Sequence, residues 1–121
     1  MGKAAYNNTK DIQEVLLQIG MPANLLGFAY FTRAIQVALE NPDALQHLMK
    51  VLYAEVANEY HSTPSRVERT MRNAIEVAWT YGDLDYIDRL FRNSVNPLKG
   101  QPTNSQFIAR LYYYFNNSQE P

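Results

Sequence analysis

Apolar residues along this chain recur at three- and four-residue steps. No segment shows the period-two alternation of a half-buried strand, so the pattern predicts helices throughout. Ile12, Val15, Leu16 and Ile19 mark a first helix, capped by Asn8 or Thr9 and closed by Gly20 and Pro22. A second runs from about 24 to 40, carrying Leu25, Phe28, Phe31, Ile35 and Leu39. Asn41-Pro42 places a cap before a proline at the first helical position, which predicts a third helix over 42–51 burying Leu45, Leu48 and Met49. A short helix over 54–60 follows. Thr63-Pro64 repeats the cap-and-proline signal before a long helix ending near Gly82. Residues 83–91 predict a further short helix with Leu84, Ile87, Leu90 and Phe91 inward. Residues 93–101 read as a loop, and Thr103 or Asn104 caps a last helix reaching about 114.

The expected fold is therefore all-α, a compact bundle of about six to seven helices. Residues 11–115 are expected to form a single domain between a flexible 1–10 segment and frayed ends at 116–121. With 121 residues, 46% of them hydrophobic, the chain has enough apolar material for a core. No apolar run approaches the roughly 20 residues that cross a bilayer, and no signal peptide is evident. The absence of cysteine fits a reducing compartment, and a cytoplasmic, nucleoid-associated bacterial protein without membrane contact is expected. Two histidines, His47 and His61, do not make a usual structural zinc site. Asp83, Asp85 and Asp88 lack the pattern of a calcium loop and suit the solvated start of a helix. Neither a catalytic constellation nor a cofactor motif is present, so an enzyme is not expected. The run Tyr112-Tyr113-Tyr114-Phe115 can cover the end of the bundle or form a partner surface.

A net charge of −1 argues against a general polyanion binder, so any nucleic-acid contact must come from local charge placement. Basic groups are concentrated at Arg66, Arg69, Arg72, Arg89, Arg92 and Lys99. The first three lie on the long helix, which follows a short helix and a tight turn. Ala57 supplies the small residue of a helix-turn-helix over about 54–81, His61 the turn, and Val67 the closing apolar contact. His61 stands where positive φ is common, and histidine tolerates that conformation better than most side chains. Val67, Met71, Ile75, Ala78 and Trp79 form the inward stripe, leaving Ser65, Arg69, Arg72, Asn73 and Glu76 outward, flanked by Arg66 and Glu68. Arginine holds guanine O6 and N7 with two hydrogen bonds, and a carboxylate accepts from cytosine N4. The competing interpretation is a solvated helix whose arginines pair with Glu68 and Glu76.

Ser65-Arg66-Val67-Glu68-Arg69, then Arg72, then Ala74-Ile75-Glu76-Val77-Ala78-Trp79, closely resembles the C-terminal DNA-binding domain of the stage-zero sporulation response regulator family. The likeness continues in Ile19-Gly20-Met21-Pro22-Ala23, Arg33-Ala34-Ile35, Lys50-Val51-Leu52-Tyr53, Pro102-Thr103-Asn104-Ser105 and Phe107-Ile108-Ala109. The resemblance implies a sequence-specific, double-stranded DNA-binding transcription regulator related to sporulation control. Its recognition helix, 64–81, would lie in the major groove of a TGTCGAA-like operator box, which is often in tandem. It implies Arg66, Glu68 and Arg69 as base readers. Ser65, Arg72, Asn73, Arg89, Arg92, Lys99, Thr103, Asn104 and Ser105 would be base or phosphate contacts. It also implies homodimers on DNA and a contact with RNA polymerase sigma factor through 81–94.

The departures from the family pattern are Asn73 for a histidine, Tyr81 for an arginine, and Gly100-Gln101 for a more basic pair. Each lost charge weakens phosphate binding. The family's receiver half has no counterpart in this sequence, so an excised domain or a stand-alone relative is expected. The alternative reading is a receiver-less interaction module that pairs with or competes against a full-length sporulation regulator, with weak or no DNA binding of its own.

Overall fold

The computed structural model describes residues 9–92 and 100–118. Its elements are α1 (Thr9–Ile19), α2 (Leu26–Glu40), a 3-10 turn (Pro42–Gln46), a π-helical turn (Leu48–Leu52), α3 (Tyr53–Glu59), α4 (Pro64–Tyr81), α5 (Leu84–Leu90) and α6 (Asn104–Ser118). The fold is all-α, and no strand occurs among the described residues. Residues 1–8 of the expected flexible segment 1–10, residues 93–99 of the expected loop 93–101 and residues 119–121 of the expected frayed end 116–121 lie outside the described residues.

α2 is the spine of the bundle, packing against α1, α3, α4 and α6. Its buried side chains include Phe28, Phe31 and Ile35, as the periodicity predicts. It starts at Leu26 rather than about 24, because Leu25 takes the extended cap conformation after a turn closed by Leu25 N–H to Pro22 O at 3.2 Å. Gly27 lets α2 meet α4 at close range. A β-carbon at position 27 would stand 2.5 Å from that of Ala74 and 3.0 Å from Thr70 O. Across the other face, Arg33 reaches Glu59 at 2.8 Å and Glu55 at 3.8 Å, tying α2 to α3.

α1 buries Ile12, Val15, Leu16 and Ile19, and ends where Gly20 adopts φ +104°. Met21 N–H then returns to Leu16 O at 3.1 Å, satisfying a terminal carbonyl. Thr9 begins the helix itself, and its hydroxyl accepts from Gln36 Nε2 at 2.6 Å. At the other end of the bundle Asp83 N–H donates to Ile19 O at 3.1 Å, which pins the α4–α5 corner to the end of α1.

Residues 42–51 differ from the single helix expected there. The chain breaks at His47 (φ −139°, ψ 62°), and His47 O accepts from both Val51 N–H and Leu52 N–H in the wide turn that follows. The extra residue in that turn rotates the stripe, so Ala44 and Leu52 are buried, Leu45 and Leu48 only half-buried, and Met49 exposed. Leu84 is a second correction. It is 63% exposed, because the Asp83 anchor leaves the first turn of α5 overhanging the core that Ile87, Leu90 and Phe91 enter. Asp83 caps this helix, its side chain accepting from Tyr86 N–H at 3.1 Å. Trp79 is half-buried rather than fully inside, set edge-on against Phe91 and Phe107.

α6 starts with a reciprocal capping box: Thr103 Oγ1 accepts from Gln106 N–H at 3.1 Å, and Gln106 Oε1 accepts from Thr103 N–H at 2.9 Å. The helix runs on to Ser118, past the expected end near 114. The aromatic run divides between the two roles considered for it. Phe115 is buried and Tyr112 packs against the core, whereas Tyr113 and Tyr114 are exposed.

Candidate nucleic-acid interface

The helix-turn-helix follows from local signals. Ala57 is buried in α3, and its carbonyl accepts Ser62 N–H at 2.8 Å across the turn. His61 takes φ +55°, the left-handed conformation that the turn position calls for. Val56 is buried, while Tyr60 stays at the surface with its ring edge-on to Tyr30. Thr63 Oγ1 accepts from Arg66 N–H at 3.2 Å, and Pro64 occupies the first turn, so α4 begins sharply. Val67, Met71, Ala74, Ile75 and Ala78 lock its inner face.

The outer face carries Ser65, Arg66, Arg69, Arg72, Asn73 and Glu76 exposed, with Glu68 half-buried between them. Of the pairings that would make this a merely solvated helix, Glu68 with Arg72 forms, one turn apart. Among the described residues Arg66, Arg69 and Glu76 have no ion-pair partner. The first two turns of α4 thus present two unneutralised guanidinium groups beside a helix N-terminus, whose free N–H groups and dipole also favour an anion.

An open groove of about 570 Å³ runs along this face. Ser65, Glu68, Arg69 and Arg72 form one wall, and Thr103, Asn104 and Ser105 at the start of α6 form the other. Residues separated by more than thirty positions in sequence thereby share one surface. Thr103 and Ser105 are exposed there, but Asn104, expected as a base or phosphate contact, is buried with its Nδ2 donating to Glu68 O at 2.9 Å, so its side chain is turned inward and is not offered to DNA. Tyr53 and the exposed Met49 also line the groove; they belong to the stretch carrying the family likeness or adjoin it, but nothing in their spacing marks them as site residues. Burial pushes the Tyr53 phenol above its usual range and Glu68 adds to this, whereas hydrogen bonding from Asn104 and the charge of Arg72 oppose it.

Arg89 and Arg92 do not line this groove. They are exposed at the end of α5, with the Arg89 guanidinium over the Tyr86 ring at 5.9 Å. Arg110 Nε donates to Leu90 O, closing the last turn of α5 against α6. Lys99 lies outside the described residues. Among the described residues no helix is long and apolar enough to cross a membrane.

The sequence model of one family, described as sporulation initiation factor Spo0A C terminal, matches residues 12–115. That span covers α2 to α5 in full and most of α1 and α6, with the arginine-bearing face of α4 and the groove beside it. The chain therefore belongs to the Spo0A C-terminal family, a family of DNA-binding sporulation regulators rather than enzymes.

Proposed function

We propose that the chain reads a short TGTCGAA-like box in double-stranded DNA by placing α4 in the major groove. The observation that carries this reading is the pair of exposed, unneutralised arginines on the first two turns of α4, set next to the Glu68 carboxylate. Arg66 and Arg69 take guanine O6 and N7, and Glu68 accepts from cytosine N4, contacts that suit a G·C-containing box. Ser65, Arg72 and Asn73 flank these positions and take base edges or phosphates. Thr103 and Ser105, together with the first backbone N–H groups of α6, hold the phosphate across the groove. Arg89 and Arg92 add charge attraction outside the groove, and Lys99 is a further base or phosphate contact.

Two further contacts belong to this reading. Tyr81, 82% exposed, and Leu84 put apolar surface at the start of the 81–94 segment, which is taken to meet RNA polymerase sigma factor, and two copies on tandem boxes would form a homodimer. The exposed rings of Tyr113 and Tyr114 support a second reading, an interaction module that pairs with a full-length regulator. Titration of a TGTCGAA duplex against a scrambled duplex of the same composition separates the two. Base reading requires tighter binding to the first at moderate salt. Equal affinity for both, together with capture of a regulator partner, would establish the second reading instead.

A further inference from the structure

Asn104 opens α6 but does not serve that helix's own stability, since Thr103 and Gln106 already cap it. Its side chain is only 6% exposed and turns away from α6 to donate to the carbonyl of Glu68. That carbonyl sits in the second turn of α4, beside Arg69. The amide oxygen Oδ1 is buried without a hydrogen-bond partner among the described residues, and an unmet buried acceptor is destabilising. The contribution of this amide therefore lies in where it holds α4. On one side of the tie stand Glu68 and Arg69; on the other stand Thr103 and Ser105, exposed at the N-terminus of α6.

We infer that Asn104 is a positioning residue for sequence discrimination: its tie to Glu68 O sets the depth at which Glu68 and Arg69 meet base edges, relative to the phosphate held by α6. This rests on the reading of α4 as the base-reading helix. Contacts to phosphate tolerate small shifts, because several equivalent phosphate oxygens are open to the hydroxyl and N–H donors of α6, whereas base-edge hydrogen bonds depend on tenths of an ångström and on angle. Loss of the tie is accordingly a loss of discrimination rather than of overall affinity.

Asn104→Leu tests this. It keeps the approximate size and the neutral charge of the side chain while removing the amide that donates to Glu68 O and hydrogen-bonds Tyr53, together with the unmet acceptor, and Asn104→Ala serves where leucine does not fold. Binding of the full chain to the TGTCGAA duplex and to the scrambled duplex is measured over a salt series, with thermal melts alongside. The expected result is an unchanged affinity and salt slope on the scrambled duplex, with preference for the box lowered about tenfold. In a Glu68→Ala background the same change should lower the preference far less. A folded variant with wild-type preference overturns the inference, as does an equal loss on both duplexes, the signature of a purely structural role. Absence of any preference in the unaltered chain defeats the base-reading proposal itself, and this inference with it.

Discussion

α2 passes close to α4 at Gly27, and substituting it tests how tightly α4 is seated. In Gly27→Ala the new methyl would lie 2.5 Å from the Ala74 β-carbon, where two carbon atoms need about 3.5–4.0 Å. Ala74 is buried and its methyl is fixed to the α4 backbone, so the strain is not relieved by a rotamer change; α2 and α4 must part. Overpacking of this kind costs about 1–3 kcal/mol, and a shortfall of more than an ångström on rigid backbone belongs at the top of that range. Alanine in a helix gains about 1 kcal/mol over glycine, which leaves a net loss of about 2 kcal/mol. For a chain of this size that lowers Tm by about 6–10 °C. The reciprocal exchange, Gly27→Ala with Ala74→Gly, keeps one methyl in the contact and removes the clash. The double variant should therefore be more stable than the two single losses predict, by about 1–3 kcal/mol. Urea denaturation of the four proteins measures this coupling. If Gly27→Ala leaves the midpoint unchanged or raises it, or if the two effects simply add, α2 and α4 are not packed at this distance.

Arg66→Ala and Arg69→Ala should each weaken binding to the TGTCGAA duplex by about 1–3 kcal/mol and relax specificity, read by titration against duplexes altered at single base pairs. Thr103→Ala removes one half of the capping box on α6 and should cost about 1 kcal/mol in chemical denaturation, while Gln106 loses its reciprocal partner. Tyr53 gives an alkaline signature. Burial, the main cause, raises its pKa above 10.0, so the unfolded chain loses this proton before the folded one does. Below pH 10 the residue contributes no pH dependence; above it, stability falls as pH rises towards the folded pKa. Tyr53→Phe should flatten that alkaline limb relative to the unaltered protein, and equal slopes in denaturation at pH 9 to 11 would contradict the assignment.

The parts of this fold that are legible in the sequence are those with local causes. Thr63-Pro64 announces the start of α4, His61 occupies its turn with the expected positive φ, and the three- and four-residue stripe identifies the inner face. What is not legible depends on tertiary packing. Leu45, Leu48, Leu52 and Val56 fit a continuous helix as well as they fit the broken one, because the wide turn after His47 has no compositional mark. Asn104 reads locally as a cap or a phosphate contact, and only the packing of α6 beside α4 shows its amide on a carbonyl 36 residues away. The outward face of α4 was visible, but not which of its charges would be neutralised.

That last distinction bears on how Glu68 can read a base while paired to Arg72. Both side chains are partly exposed, 35% for Glu68 and 53% for Arg72, and an exposed pair one helical turn apart contributes only about 0.3–0.5 kcal/mol. That is a small cost to give up, and the carboxylate has two oxygens, so it can accept from cytosine N4 while still accepting from Arg72. In the free protein the pair instead limits the rotamers of Glu68 from the side chain, as Asn104 limits its position from the backbone. A base-reading carboxylate held at both ends loses less side-chain entropy on binding than a free one would. On the proposed reading the ion pair at the centre of this face would be a preorganising contact, so its presence alone does not decide for a merely solvated helix.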